Sequence, residues 1–443
     1  MLSKLSSIPA LILGWLVLRG VLIALCVIDS SPRGDVAYYF SGIYGDNPDA
    51  MTEYPHPGVW PTQLIGLITG PNPDSFFVWF SAMCLALDLF FLLGLRRFGR
   101  DNPVGVTYAC WFWIFFGTAA GQVFIMRLDL FPAVAVAIAA MLLFRVPTLG
   151  AAFLALATTM KLWPGVLAAG LVGRWNQTAT WLRVGSFVLT AVALCGVTVA
   201  TEGVGRLLSP LTYQGERGLQ IESIPATPFI YSAFHSPSDW TVDYAPSKSF
   251  EIAGPGVDSM VTASTVIMVI VVLAMAAWAL SRLHSCRWDA YTSVAFFVAG
   301  ILGLIVSNKV FSPQYIVWLA PVLAVAMCAP RSYPTAPARG RRAEKAMLAV
   351  LGLSCLIAAA LGTFIYPFNY SFLISELGTD YTTVIILAVR NALVLVMFAL
   401  SLAWLYLVNR STAGHSETKQ AQPQPLGLPH TQDATPQTPA AQS

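Results

Sequence analysis

Three observations predict an all-α polytopic membrane protein. Of the 443 residues, 56% are hydrophobic and only 11% charged, more apolar surface than a soluble core absorbs. Apolar runs of roughly 20 residues recur along the chain, the length a helix needs to cross the hydrocarbon of a bilayer. These runs are continuous, whereas a transmembrane β-barrel would show alternating segments of about ten residues.

The apolar spans fall at about 8–28, 74–95, 103–121, 128–144, 149–160, 162–173, 182–201, 260–281, 288–306, 314–328, 346–366 and 383–408, giving a bundle of about twelve transmembrane helices. Lys4 precedes the first span as in a signal peptide. However, the run is long for such a leader and no small-x-small cleavage motif precedes Asp29, so it reads as an uncleaved span. The pair 149–160 and 162–173 admits two readings, one helix or a short hairpin turning at Lys161-Leu162-Trp163-Pro164. The positive-inside rule favours the hairpin. It gathers Arg96, Arg97, Arg100, Arg145, Arg174, Arg183, Arg282, Arg287 and the basic 331–345 stretch on one side, leaving far fewer cations opposite. Both termini are then cytoplasmic, in a multi-pass protein of the plasma membrane.

A membrane domain over 1–410 is followed by a tail, 411–443, rich in Gln, Pro, Thr and Ala. A segment of that composition buries no core and is expected to be disordered. The seven cysteines, Cys26, Cys84, Cys110, Cys195, Cys286, Cys328 and Cys355, stand singly, without metal-ligand spacing, and read as small packing residues. The formal net charge of +3 is small, and nothing points to a nucleic-acid partner. No P-loop, Rossmann glycine set or zinc cluster is present. No metal ligands or cofactor are indicated, although a divalent metal remains compatible with the chain.

Polar residues collect in the segments assigned to the outer side. Asp35, Asp46, Asp49, Glu53, Asp129, Glu202, Glu216, Glu222, Asp239, Asp243, Glu251 and Asp258 map there, with His56 and His235. Four places stand out from a merely solvated surface. Gly34-Asp35 is followed by Glu53-Tyr54-Pro55-His56 in a segment stiffened by proline. Arg127-Leu128-Asp129 sets opposite charges at a helix mouth. The run Tyr213 to Ser223, with Arg217, Gln220 and Glu222, offers groups that read sugar hydroxyls and a stacking face in Tyr213. Finally, Lys309 stands between two apolar helices, followed by Gln314 and Tyr315. A cation so placed is costly unless it meets an anion or snorkels to water. A carboxylate with the cations Arg127, Lys161, Arg217 and Lys309 suits a lipid-linked phosphate donor: Asp35 takes the proton of an attacking hydroxyl and the cations neutralise the departing phosphate. Arg19, Asp88, Arg390 and Asn391 lie within spans, where interhelical pairing is the plain explanation and a transport pathway the functional one.

The ordered set Gly34-Asp35, Glu53-Tyr54-Pro55, Arg127-Leu128-Asp129-Leu130-x-Pro132-Ala133, Lys161-Leu162-Trp163-Pro164, Arg217-x-Leu219-Gln220-Ile221-Glu222-Ser223 and Lys309-Val310-Phe311-Ser312-Pro313-Gln314-Tyr315-x-x-Trp318 resembles bacterial membrane glycosyltransferases of the GT-C superfold. The nearest resemblance is to the glycosyltransferase 87 group, including actinobacterial polyprenyl-phosphate-mannose-dependent α-mannosyltransferases. It implies a GT-C-type bundle whose extracytoplasmic loops form the active site. It also implies inverting transfer of a sugar, mannose above others, from a polyprenyl-phosphate donor to a cell-envelope glycolipid or glycan at the outer face of the membrane. The aspartate of the first outer loop, here Asp35, is then the general base. The contrasting reading is a carrier or flippase for a lipid-linked or soluble substrate, and a weaker one is a scaffold for envelope assembly. A carrier usually gathers polar groups near the bilayer midplane in matched halves; here they gather at one face, and no such repeat is evident.

Overall fold

The computed structural model describes residues 5–45, 47, 50–215, 217–285, 288–331 and 338–420. Lys4, Asp46, Asp49, Glu216, Cys286, Arg287 and the tail from 421 onward lie outside the described residues. The chain is built mainly of helices: α1 (Ile8–Ile28), α2 (Arg33–Tyr44), α3 (His56–Thr69), α4 (Pro73–Phe98), α5 (Pro103–Ala119), α6 (Leu130–Leu143), α7 (Pro147–Met160), α8 (Thr178–Gly215), α9 (Thr227–His235), α10 (Val257–Ser285), α11 (Ala290–Ser307), α12 (Tyr315–Cys328), α13 (Ala338–Thr363), α14 (Ser371–Ile374) and α15 (Tyr381–Gln420). Several starts are written locally. Asn72 and Asn102 cap the amide groups of Ser75 and Gly105 at 2.9 and 3.0 Å, and a proline follows each, the favoured N-cap and first-turn pairing.

Among the described residues, seven helices are long and apolar enough to cross a membrane: α1, α4, α8, α10, α11, α13 and α15. The chain is therefore a multi-pass membrane protein. The expected dozen spans came from hydropathy together with the positive-inside choice of a hairpin at Lys161. Four of the twelve apolar segments form the shorter apolar helices α5, α6, α7 and α12, and 163–171 is a 3₁₀ helix. Burial separates these elements by environment. The apolar windows of α8 and α10 are only 6% and 11% buried, whereas that of α11 is 94% buried. A helix apolar on all sides belongs either in lipid or in a protein core, and here α11 takes the core while α8 and α10 form the periphery.

The segment 147–171 turns back on itself. Thr148 O accepts from Ser186 Oγ at 2.8 Å, and Leu171 O accepts from Arg183 Nε at 2.9 Å. Ser186 and Arg183 are one turn apart on α8, so both ends of the segment meet there and Lys161 lies at the opposite end. The close seat of α3 on this hairpin depends on Gly58, where a Cβ would collide with the Met160 carbonyl.

The long connection after the α8 span is ordered. Helix α8 bends at Gly203, whose φ of 84° favours glycine, and continues to Gly215. Three short strands follow, β1 (Leu219–Gln220), β2 (Thr241–Tyr244) and β3 (Phe250–Ala253). They form an antiparallel sheet in the order β1-β3-β2, with Leu219 opposite Ile252 and Tyr244 opposite Phe250. A second apolar cluster that includes Leu219, Ile221, Ile230, Ile252, Ile365 and Leu387 seats this sheet on α9 and the start of α15. Helix α15 itself continues past residue 410 to Gln420.

Candidate active site

Asp35 sits in the first turn of α2, a short helix rather than the open loop suggested by its sequence. There the helix dipole favours a carboxylate. Arg127, just after the 3₁₀ turn Gly121–Phe124, donates from Nη1 to Asp35 Oδ1 and from Nη2 to Tyr366 Oη, the latter at 3.5 Å. The pair is not sealed: side-chain exposure is 15% for Arg127 and 26% for Asp35. Burial pushes the Asp35 carboxyl above the usual carboxylate value; Arg127 pulls it down and the nearby Asp129 adds to the rise. Burial also opposes the Arg127 charge, but Asp35 and the surrounding tyrosines hold it firmly protonated.

Beside this pair lies a second one. Asp129, almost fully buried, accepts from Lys161 Nζ and from Trp318 Nε1, the latter at 2.6 Å. Trp318 stacks on Trp163 and Tyr315 with centroids 4.9 and 3.9 Å away. The Lys161 ammonium lies 5.3 to 5.7 Å from the rings of Trp318, Tyr54 and Tyr315, an aromatic cage that suits a cation. The hairpin turn thus delivers Lys161, α12 delivers Trp318 and Tyr315, and the segment just before α3 delivers Tyr54.

Other walls come from the sheet and the segments around it. Tyr38 Oη donates to Glu53 Oε2 at 3.0 Å and accepts from the Met51 amide at 2.6 Å. The turn between β2 and β3 reaches across, with Lys248 Nζ donating to Tyr38 Oη. Gln220 Oε1 accepts from the Phe311 backbone N–H at 2.9 Å, while the Gln220 backbone N–H donates to Lys309 O at 3.0 Å. Glu222 is buried against Arg390, whose Nη1 and Nη2 donate to its carboxylate and carbonyl, each at 2.6 Å. Desolvation raises the Glu222 carboxyl above its usual value, against the pull of Arg390.

These groups enclose a cavity of about 410 Å³. Of the residues singled out in the sequence, Asp35, Glu53, Arg127, Lys161, Arg217, Gln220, Glu222, Gln314 and Tyr315 line it. Three take other places. Asp129 stands behind Lys161. His56 borders a separate space with Glu202 and Arg206, because the first turn of α3 packs away from Asp35. Lys309 contributes its backbone carbonyl to Gln220 but not its side chain to the lining, since a short loop turns it past the cavity. The sequence reading left out Tyr38, Tyr54, Tyr244, Tyr366, Tyr370 and Lys248, all in the wall. Tyr54 stood inside a quoted motif; the rest carried no local signal, being brought in by distant elements. Among the described residues, no three His, Cys, Asp or Glu side chains cluster in a way that holds a metal ion.

A polar cavity walled by tyrosines, carboxylates and cations, at one end of a bundle of membrane-length helices, defines a multi-pass membrane protein with a site for a polar ligand. The model of glycosyltransferase family 87 matches residues 54–313, more than half of the chain. The chain belongs to that family and is a membrane glycosyltransferase. No curated protein and no solved structure matches it. The matched stretch carries Arg127, Lys161, Arg217, Gln220 and Glu222, whereas Asp35 precedes it and Tyr366, Tyr370 and Arg390 follow it.

Proposed function

We propose that this glycosyltransferase has a GT-C-type architecture and moves a sugar, most simply mannose, from a polyprenyl-phosphate donor to a hydroxyl of a cell-envelope glycolipid or glycan. The cavity end faces outward at the plasma membrane and both termini are cytoplasmic. The charge pattern supports that orientation: Arg96, Arg97, Arg100, Arg145, Arg174, Arg282 and Arg331 lie toward the opposite end of the bundle, as positive-inside placement requires. An outward site meets no soluble nucleotide sugar, so a donor carried by lipid fits it.

In this reading the acceptor O–H gives its proton to the Asp35 carboxylate as its oxygen attacks the anomeric carbon. The anomeric C–O bond to phosphate breaks, and its electron pair leaves with the phosphate oxygen, whose charge the cavity cations stabilise. A single displacement inverts the anomeric centre. Tyrosine faces suit the apolar face of a sugar ring, and Glu53, Gln220 and Gln314 suit its hydroxyls. The observation that carries the reading is Asp35 itself: a carboxylate made more basic by burial, open to a cavity whose other walls bear cations.

Asp35→Asn is expected to insert and fold normally yet to lower transfer from labelled polyprenyl-phosphate mannose by about 10² to 10⁴-fold, the usual contribution of a general base. Turnover retained near the wild-type rate would remove Asp35 from that role. Parallel incubations with polyprenyl-phosphate glucose and arabinose test the sugar; faster transfer from either displaces mannose.

A further inference from the structure

Charge pairing within the cavity is uneven. Arg127 is held by Asp35, Lys161 by Asp129, and Arg390 behind the wall by Glu222. Each of these cations already faces a carboxylate, and a second anion would have to compete for it. Arg217 and Lys248 line the same cavity, and among the described residues neither forms an ion pair. Their hydrogen-bond partners are neutral, and the Glu251 carboxylate acts on Arg217 only from beyond ion-pair distance. Arg217 lies 5.4 Å above the Tyr213 ring, and its Nη2 donates to Ser247 O at 3.4 Å. Its Nε is buried without a hydrogen-bond partner. Lys248 donates to the Tyr38 hydroxyl and lies 4.1 Å from that ring's centroid.

Ser247 ties the two cations together. Arg217 and Tyr213 both donate to its carbonyl, and Lys248 is the next residue. The turn is closed by the Lys248 amide on Ala245 O at 2.8 Å and the Ala245 amide on Ser249 O at 3.0 Å. Lys248 holds a φ of 55° there, a conformation uncommon for a side chain of this kind. Arg217 is partly buried with only the more distant Glu251 carboxylate acting on it, and Lys248 is exposed beside the cavity; an arriving anion meets both without displacing a carboxylate already in contact.

We propose that Arg217 and Lys248, joined through the Ser247 turn, form the subsite that holds the phosphate of the donor, while Arg127 and Lys161 serve their own carboxylates. This rests on the lipid-phosphate reading above and narrows phosphate recognition from Arg127, Lys161, Arg217 and Lys309 to Arg217 joined by Lys248 of the β2–β3 turn. The ligand class is a phosphate ester. Its lipid-borne and free forms share this chemistry and are separated by the test.

The test uses full-length protein in lipid nanodiscs, with direct binding of polyprenyl phosphate, of the uncharged polyprenol of equal length and of inorganic phosphate. Arg217→Gln and Lys248→Gln are each expected to weaken polyprenyl phosphate binding about tenfold or more, the range for loss of one charged hydrogen bond. Lys248→Arg is expected to restore it, and polyprenol binding to stay constant throughout. The ionic-strength dependence of binding should flatten in both glutamine variants, a readout that misfolding would not produce. Weak inorganic phosphate binding lost in the same variants also supports the subsite and marks it as a headgroup contact. Wild-type affinity for polyprenyl phosphate in both glutamine variants overturns the subsite and leaves the donor reading standing. A wild-type protein that binds polyprenol as well as polyprenyl phosphate overturns both.

Discussion

Two aspartate–arginine pairs in this molecule use the same chemistry for different ends. Arg19 of α1 and Asp88 of α4 meet inside the helical bundle, with side chains 2% and 0% exposed. Every direction around them is occupied. Asp88 accepts from Arg19 Nε and Nη2 and from Trp15 Nε1, and Arg19 Nη1 donates to Ile114 O at 2.8 Å and to Thr118 Oγ1 at 3.4 Å. Gly117 leaves room for the guanidinium, since a Cβ there would collide with it. Asp35 and Arg127 are paired as well, but they border a cavity, and Arg127 Nε is left without a partner. The comparison teaches that an ion pair in a membrane protein is structural when it is sealed from every cavity. Where a member of the pair borders a space, as Asp35 does, that member is accessible to a ligand.

The comparison can be broken from the closed side first. Arg19→Met leaves a buried carboxylate without its cation and is expected to cost about 3–5 kcal/mol, read as a lowered thermal midpoint in detergent. Adding Asp88→Leu should recover most of that loss; an equally unstable double variant would show that the pair is not the unit. Asp35→Asn should do the reverse, abolishing most transfer with a stability change under about 1 kcal/mol, the range of partly exposed pairs.

The third way tests the electrostatics of the open pair. The base must be ionised to act, and burial has raised its pKa, so the acid limb of kcat/KM should lie above the usual carboxylate range. Arg127 lowers that pKa, so Arg127→Gln should move the limb to higher pH, whereas Arg127→Lys should hold it near the wild-type position. A limb that does not move in the glutamine variant detaches the titration from this pair. The smallest effect belongs to a pair that is neither closed nor near a cavity. Arg100 and Asp101 stand 3.6 Å apart with 62% and 83% exposure, and Arg100→Ala should change the midpoint by no more than about 0.5 kcal/mol.

Much of the site was legible in the sequence because its charged and polar residues are anomalies against an apolar background. Asp35, Glu53, Arg127, Lys161, Arg217, Gln220 and Glu222 stand out in that way, and all line the cavity. His56 and Lys309 stood out equally, yet the packing of α3 and of the loop after α11 directs them elsewhere. The tyrosines carried no such contrast. An aromatic residue is ordinary in a membrane protein, and only its neighbours reveal whether it faces lipid, core or ligand. Lys248 was legible as a cation but not as part of the site, because its role depends on a turn between two short strands that no periodicity announced.

Composition and span length by themselves determined that this chain is a helical, multi-pass membrane protein, because the cost of burying backbone and charge in hydrocarbon leaves few alternatives. The ordered motifs, borne out by the family match, determined that it is a glycosyltransferase. The tertiary structure alone decided that α11 is enclosed while α8 and α10 are not, and that Arg19 is matched by Asp88 whereas Arg217 and Lys248 have no carboxylate within ion-pair distance. Hydropathy is a property of each residue and can be read along the chain. Which charge meets which is a property of distances between residues far apart in sequence, and those exist only once the helices have packed.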